Sequence, residues 1–112
     1  FSCDTNQLET IVFDSQASVL TDISCSGNKL KDISFLGRAP FVEVLDCSHN
    51  EISDYMFISL SYIRDLNLSY NKFKSVDLKY NSKLEKLNAI ILHTVHCRKQ
   101  LLRNLCMATR IL

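Results

Sequence analysis

The sequence has little glycine or proline, no tryptophan and no long apolar run. Two Gly and one Pro in 112 residues leave no Gly-rich or Pro-rich linker, so we expect one continuous domain. No apolar stretch exceeds that of residues 89–92, whereas a membrane-spanning helix needs about 20 such residues. A net charge of +1 gives the chain as a whole no electrostatic reason to bind nucleic acid. We therefore expect no membrane span and no nucleic-acid partner.

Catalytic and metal-binding motifs are also absent from the sequence. It has no Gly-rich phosphate-binding loop and no Ser, His and Asp residues at spacings that suggest a catalytic group. The residues His93, His96, Cys97 and Cys106 do not have the spacing of a common structural zinc site. We predict that the protein is not an enzyme and that it uses no metal or other cofactor.

What the sequence does contain is a repeat of about 22 residues, marked by asparagine. Asn6, Asn28, Asn50 and Asn71 are separated by 22, 22 and 21 positions. Three consecutive units follow the pattern LxxLxLxxNxL, with Leu20, Ile23, Cys25, Asn28, Leu30, then Val42, Leu45, Cys47, Asn50, Ile52, then Ile63, Leu66, Leu68, Asn71, Phe73. The first unit enters the pattern midway, and the fifth has Leu92 where Asn is expected.

The pattern within each unit predicts its local structure. Apolar residues that alternate with polar ones predict a short strand with one buried face. The Asn side chains are expected to bond backbone groups where each strand bends away. About a dozen residues remain for the outer side of each unit, such as residues 31–41, and they predict turns and short 3₁₀ segments.

These units resemble the leucine-rich repeat family. The resemblance implies an α/β fold, a right-handed solenoid of about five turns with a short parallel sheet on its concave face. We expect the repeats to occupy residues 1–94 and a helical cap or tail to occupy residues 95–112. Because the first unit is incomplete, we expect an N-terminal truncation, with further repeats or a second copy of the chain stacking on the edge near Phe1 and Leu8.

The last 21 residues, 92–112, have a different character. They contain no acidic residue, and their basic residues alternate with leucines at near-helical spacing. An amphipathic helix that closes the end of the solenoid is the simplest interpretation. Two alternatives stay open: a helix that lies on a membrane surface, and foreign sequence created by truncation or splicing.

Residues 84–105 are also similar to the closing repeat and C-terminal cap of secreted leucine-rich proteins, in particular the mosquito leucine-rich immune proteins. The similarity lies in Cys97 followed by Leu101, Leu102 and Leu105. The chain departs from that pattern at Leu92 and just before Cys97, where the cap usually has an aromatic residue. The resemblance implies an extracellular binding protein of innate immunity. The alternative is a cytoplasmic scaffold or regulatory subunit, as in the phosphatase regulators with 22-residue repeats.

Three of the five cysteines, Cys3, Cys25 and Cys47, recur every 22 residues at an apolar position of the strands. Neighbouring strands lie about 4.8 Å apart, whereas a disulfide needs Cβ atoms about 3.5–4.5 Å apart in a demanding geometry. We therefore predict free thiols that fill a leucine position in the core. The state of Cys97 and Cys106 stays open, and the odd total leaves at least one thiol unpaired.

The same register predicts which side chains face away from the core. Three rows are expected along the sheet: Asp22, Val44, Asp65, Lys86, then Ser2, Ser24, Asp46, Asn67, Asn88, and then Asp4, Ser26, Ser48, Ser69, Ile90. With the flanking Glu43, Arg64 and Glu85, six acidic and two basic residues make this face acidic. Asn67, Leu68 and Ser69 form a glycosylation sequon, but its place on the sheet face argues against glycosylation there.

An acidic face predicts a protein partner with a basic surface, with charge assisting encounter more than affinity. The residues expected to contact it are Asp22, Glu43, Val44, Asp46, His49, Arg64, Asp65, Asn67, Tyr70 and Lys86. Of these, His49 and Tyr70 occupy equivalent places just before an Asn and add polar and aromatic contacts. The alternative is that the polar residues of this face serve only to keep the sheet soluble. The sequence thus predicts a non-catalytic module for protein–protein interaction.

Overall fold

Two parallel sheets organise the chain in the computed structural model, which describes residues 1–14, 17–53, 60–73, 75–78, 81–89 and 94–96. The strands are β1 (Asp22–Ser24), β2 (Val44–Asp46), β3 (Asp65–Asn67), β4 (Ser75–Asp77), β5 (Lys86–Asn88) and β6 (Thr94–His96). The larger sheet has the order β1-β2-β3-β5, and the smaller one pairs β4 with β6. An isolated parallel bridge joins Ser2 to Ser24 and extends the larger sheet by one position.

The register of the larger sheet confirms the first two of the three rows predicted from the repeat. Asp22 lies opposite Val44, Val44 opposite Asp65, and Asp65 opposite Lys86. A shift of one residue would turn the apolar side chains to solvent, so the alternation within each strand fixes the pairing.

The core is built from the apolar positions of the repeat. The central residues of the four strands, Ile23, Leu45, Leu66 and Leu87, are buried, and so is the next inward row, Cys25, Cys47, Leu68 and Ala89. Cys3, Cys25 and Cys47 are free thiols, as predicted, although Cys3 at the end of the column is only half-buried. Small thiols pack at these positions because successive strands place the same side chain one above the other.

The asparagines of the repeat form the predicted ladder of hydrogen bonds. The Asn28 Oδ1 atom accepts from the backbone N–H of Leu8 at 3.1 Å, and its amide donates to the carbonyls of Cys3 and Cys25, each at 3.0 Å. Asn50 and Asn71 make equivalent bonds. Each asparagine thereby satisfies buried backbone groups of two consecutive units where the chain leaves the strand.

The expected α/β solenoid with a helical cap is wrong for the residues described. They contain no α-helix, and their only helical segment is a 3₁₀ helix at Ser34–Arg38, within the range expected for short 3₁₀ turns. The described fold is a four-stranded parallel sheet accompanied by a two-stranded one. The lack of an outer helix agrees with the short repeat unit, in which only about a dozen residues connect successive strands. The cap expected from residue 95 is contradicted at residues 95–96, which belong to β6 because they pair with β4.

The smaller sheet was not predicted at all. Its strands, Ser75–Asp77 and Thr94–His96, fall where the repeat pattern indicated turns and the end of the repeats. The predicted cap segment beyond residue 96, with Cys97 and Cys106, lies outside the described residues, as do Ile90 and Leu92. No helix in the described ranges is both long and apolar enough to span a bilayer.

Candidate functional site

A groove crosses the exposed side of the larger sheet, near the starts of its strands. It has a volume of about 390 Å³ and is lined by Asp22, Glu43, Val44, Arg64, Asp65, Glu85 and Lys86. We call it the strand-start groove. Six of its seven residues were predicted from the sequence, and the seventh, Glu85, was recognised as flanking them. Parallel pairing brings these residues together because it stacks the same position of each unit.

Arg64 occupies the middle of the strand-start groove, between two carboxylates. Its Nη1 atom lies 3.4 Å from Glu43 Oε1, and its Nε atom lies 3.3 Å from Glu85 Oε2. The hydrogen bond and charge of Glu85, and then those of Glu43, raise the pKa of the Arg64 guanidinium above its ordinary value. All three side chains are exposed, so these pairs stabilise the fold little and chiefly hold the guanidinium across the groove.

Other charges of the groove have no such pairing. The carboxylates of Asp22 and Asp65 and the ammonium of Lys86 form no ion pair within the part of the chain that the structure describes. Four carboxylates and two cations give the groove a formal charge of −2. Val44 lies between Asp22 and Asp65 in register and is 37% exposed. The groove therefore offers an apolar contact flanked by two unpaired carboxylates.

Asp46 and Asn67, two further predicted site residues, form turns at the ends of their strands. Asp46 Oδ1 accepts hydrogen bonds from the backbone N–H of Ser48 at 3.0 Å and from its hydroxyl at 2.6 Å. Asn67 Oδ1 makes the same two bonds to Ser69, at 3.1 and 2.7 Å. Both serines are buried. The prediction that Ser48 and Ser69 lie on the exposed face is therefore wrong.

The remaining predicted pair, His49 and Tyr70, forms an aromatic stack beside the sheet. The ring centroids are 4.4 Å apart and the rings are nearly parallel, at 14°. Both residues have a positive φ, of 54° and 56°, and so do Thr5 (55°) and Gly27 (71°) at the equivalent positions. These four residues, which we call the left-handed column, each directly precede an asparagine of the ladder. The strained backbone of the column holds the two rings at fixed places on the surface.

A row formed by two exposed aromatic side chains and a lysine was missed by the sequence analysis. Phe41 and Tyr62 lie 5.3 Å apart between ring centroids, and Lys83 Nζ lies 4.4 Å from the centroid of the Tyr62 ring. The equal spacing of these three residues, 21 positions each, is the signal that could have identified the row.

The column of core cysteines has the properties of packing residues. Burial is the main cause that raises the pKa of the Cys25 thiol from its ordinary 9.0 to about 12, and it raises the pKa of Cys47 well above its ordinary value. Burial and the nearby Asp4 raise the pKa of Cys3 as well. Thiols held in the neutral form are poor nucleophiles and poor metal ligands. In the described ranges, no three His, Cys, Asp or Glu side chains are placed together to hold a metal ion.

Comparisons of the chain with models of protein families, with curated proteins and with solved structures give no match.

Proposed function

We propose that the protein is a non-catalytic binding module whose strand-start groove receives a basic segment of a partner protein. The observation that carries the proposal is the groove itself: four carboxylates surround an exposed apolar side chain on the face of a rigid parallel sheet. Side chains fixed by strands lose little conformational freedom on binding, which favours recognition by such a surface.

The charges of the groove support a basic partner. Asp22 and Asp65 are not compensated by a cation within the described residues, and Val44 separates them in the register. A lysine or arginine of a partner can pair with either carboxylate while its aliphatic stem covers Val44. Such pairs steer encounter and select partners by charge, and they lose strength as salt concentration rises.

The form of the groove also supports binding rather than catalysis. Its side chains are exposed or half-buried and its charges face solvent, whereas catalytic groups usually lie in concave, water-excluding pockets. The 21–22-residue repeat, with its resemblance to leucine-rich proteins that bind other proteins, points to the same function. Through the further resemblance of residues 84–105, we propose an extracellular role in innate immune recognition.

A second candidate, a cytoplasmic scaffold or regulatory subunit, is favoured by one observation. The three cysteines of the core column are all free. Secreted domains commonly use cysteine in disulfides, whereas free thiols persist in reducing compartments. Both candidates use the strand-start groove, and they differ in compartment and in partner.

The binding test uses a capped hexapeptide of alternating lysine and glycine as a basic probe, with a glutamate–glycine peptide for comparison. Binding is followed by NMR titration at low salt. We expect the lysine peptide to shift the resonances of Asp22, Val44 and Asp65, and the glutamate peptide to leave them unchanged. Loss of binding at high salt is expected for contacts between exposed charges.

Two sets of variants test whether the lysine peptide binds in the strand-start groove. Asp22→Asn and Asp65→Asn should each weaken the lysine peptide, whereas Arg64→Gln should strengthen it because Glu43 and Glu85 are then unpaired. The matched control is Glu9→Gln, which removes one exposed carboxylate from outside the groove. Equal effects of Glu9→Gln and Asp65→Asn on the affinity for the lysine peptide would show that the peptide is attracted by overall charge. That result would contradict the groove as the binding site.

A further inference from the structure

Asn67 has an amide nitrogen that forms no hydrogen bond with the residues the structure describes. Its Oδ1 atom accepts from the backbone N–H of Ser69 at 3.1 Å and from the Ser69 hydroxyl at 2.7 Å. Because a backbone N–H can only donate, the amide atom that faces Ser69 must be the oxygen. The Nδ2 atom of Asn67 therefore lies on the other side of the amide, away from Ser69.

The asparagines of the ladder use their nitrogen differently. The Nδ2 atom of Asn71, four positions later, donates to three backbone carbonyls at 2.9, 3.2 and 3.3 Å. Asn50 likewise donates to three carbonyls. Among the described residues, no buried side-chain nitrogen or oxygen lacks a hydrogen-bond partner. Since the Asn67 nitrogen has no such partner, it must be open to solvent.

Asn67, Leu68 and Ser69 form the chain's single Asn-x-Ser/Thr sequence, which can accept an N-linked glycan. In that reaction Nδ2 loses a proton and bonds to the sugar C1 atom, while the bond from C1 to the diphosphate of a lipid-linked oligosaccharide breaks. The amide oxygen is unchanged, so both bonds to Ser69 can persist in the product. A place on a sheet face argues against glycosylation where the amide is packed against its neighbours, and this nitrogen is open.

We propose that Asn67 carries an N-linked glycan in the extracellular protein. The inference rests on the extracellular form of the proposed function, because the modification requires passage through the secretory pathway. Asp65, which lines the strand-start groove, is the first residue of β3, and Asn67 is the last. The glycan therefore borders the groove and crowds Asp46 and Asn88, the neighbours of Asn67 in the register.

The test directs the chain into the secretory pathway of cultured animal cells with a cleavable signal and treats the secreted protein with peptide-N-glycosidase. We expect the untreated protein to migrate more slowly in gel electrophoresis and the treatment to abolish the difference. The enzyme hydrolyses a glycosylated amide to a carboxyl group, so mass spectrometry should find an aspartate at position 67. A secreted wild type that lacks this change would overturn the proposal.

Asn67→Asp is the diagnostic variant, since it removes the acceptor nitrogen and keeps an oxygen for Ser69. It should be secreted without the glycan. Asp46→Asn, made in the Asn67→Asp background, transfers the acceptor to the preceding unit. Asp46 Oδ1 already makes the same two bonds to Ser48, at 3.0 and 2.6 Å, and the change gives residues 46–48 an Asn-x-Ser sequence. We expect this double variant to regain one glycan.

Translation of the same chains into microsomes of the endoplasmic reticulum reports glycosylation before secretion, so the test does not depend on export. A slower form that persists in Asn67→Asp would place the glycan elsewhere and contradict the proposal. A glycan on the double variant but not on the wild type would also overturn Asn67 as the acceptor. The lysine-peptide titration uses chain made in bacteria, without the glycan. A missing glycan therefore leaves the binding groove intact, and a missing peptide interaction leaves the glycan intact.

Discussion

Asn50 accepts a hydrogen bond from the backbone N–H of Leu30, 20 positions earlier in the chain, at 3.0 Å. Its amide nitrogen donates to the carbonyls of Cys25 at 3.0 Å and Cys47 at 3.2 Å. One buried side chain thus satisfies backbone groups on two consecutive units of the sheet. These groups lie out of reach of water. Asn50 therefore stabilises the fold by about the free energy that would be lost if these backbone groups had no hydrogen-bond partner.

Replacement of Asn50 with alanine should therefore lower the free energy of unfolding by about 2–4 kcal/mol, since each buried group left without a partner costs about 1–3 kcal/mol. Chemical denaturation monitored by circular dichroism measures the change. The matched control is Asn6→Ala: Asn6 is exposed, and its bonds to the carbonyls of Cys3 and Asp4 can be replaced by water. We expect a loss below about 1 kcal/mol there. Equal losses at the two positions would contradict the burial argument.

Much of the sheet was predictable because it depends on a periodic property. Apolar residues at a spacing of two within each unit, and of 21 or 22 between units, determine both the buried face and the pairing of Leu45 with Leu66. The Asn ladder follows from the same periodicity. Six of the seven residues of the strand-start groove could be named from the sequence for that reason.

The other features depend on contacts that the repeat does not encode. The pairing of Ser75–Asp77 with Thr94–His96 joins segments whose spacing differs from that of the repeat. Ser48 is buried although it is polar, and its hydroxyl donates to the Asp46 side chain; the alternation of apolar and polar residues does not predict this burial. The helical cap was inferred from a local amphipathic pattern, and such a pattern does not reveal that Thr94–His96, where the cap was expected to begin, pairs as a strand with Ser75–Asp77.

Adjacent residues of β2 should differ sharply in their effect on stability. Leu45 points into the core and is 1% exposed, whereas Val44 points to the groove and is 37% exposed. Leu45→Ala should cost about 2–5 kcal/mol, because it removes buried methyl groups and leaves a cavity. Val44→Ala should cost less than about 1 kcal/mol. Thermal or urea unfolding of the two variants checks the prediction. A larger loss of unfolding free energy for Val44→Ala than for Leu45→Ala would contradict the assigned register.

Asn67→Asp should leave stability within about 0.5 kcal/mol of the wild type. The equivalent residue of the preceding unit is already an aspartate, and Asp46 makes the same two bonds to Ser48 that Asn67 makes to Ser69. Asn67→Ala, which removes the acceptor for buried Ser69, should cost about 1–3 kcal/mol. Comparable losses for Asp and Ala would show that the amide, and not the acceptor oxygen, matters at this position.

Stability should fall at alkaline pH because of the core thiols. Burial raises the pKa of Cys25 from 9.0 to about 12, so the folded protein keeps this thiol neutral while the unfolded chain ionises it. The contribution is complete below about pH 9 and is lost as the pH rises toward about 12. Cys25→Ala lacks this titration and should show a shallower decline, measured by urea unfolding over that range. An unchanged decline in the variant would contradict the raised pKa.

Alkylation of the native chain at about pH 8, followed by mass spectrometry, should distinguish buried from accessible cysteines. Cys25 and Cys47 should remain unmodified until the chain is unfolded, because both are buried and their raised pKa values keep them protonated. Cys3 is half-buried and should react at an intermediate rate. Rapid modification of Cys47 in the native protein would contradict the packing of the core.

Alkylation of the chain after unfolding without reduction reports on Cys97, since a disulfide there blocks alkylation. A blocked Cys97 favours the extracellular binding protein, because disulfides persist in oxidising compartments, whereas a reactive Cys97 favours the cytoplasmic scaffold.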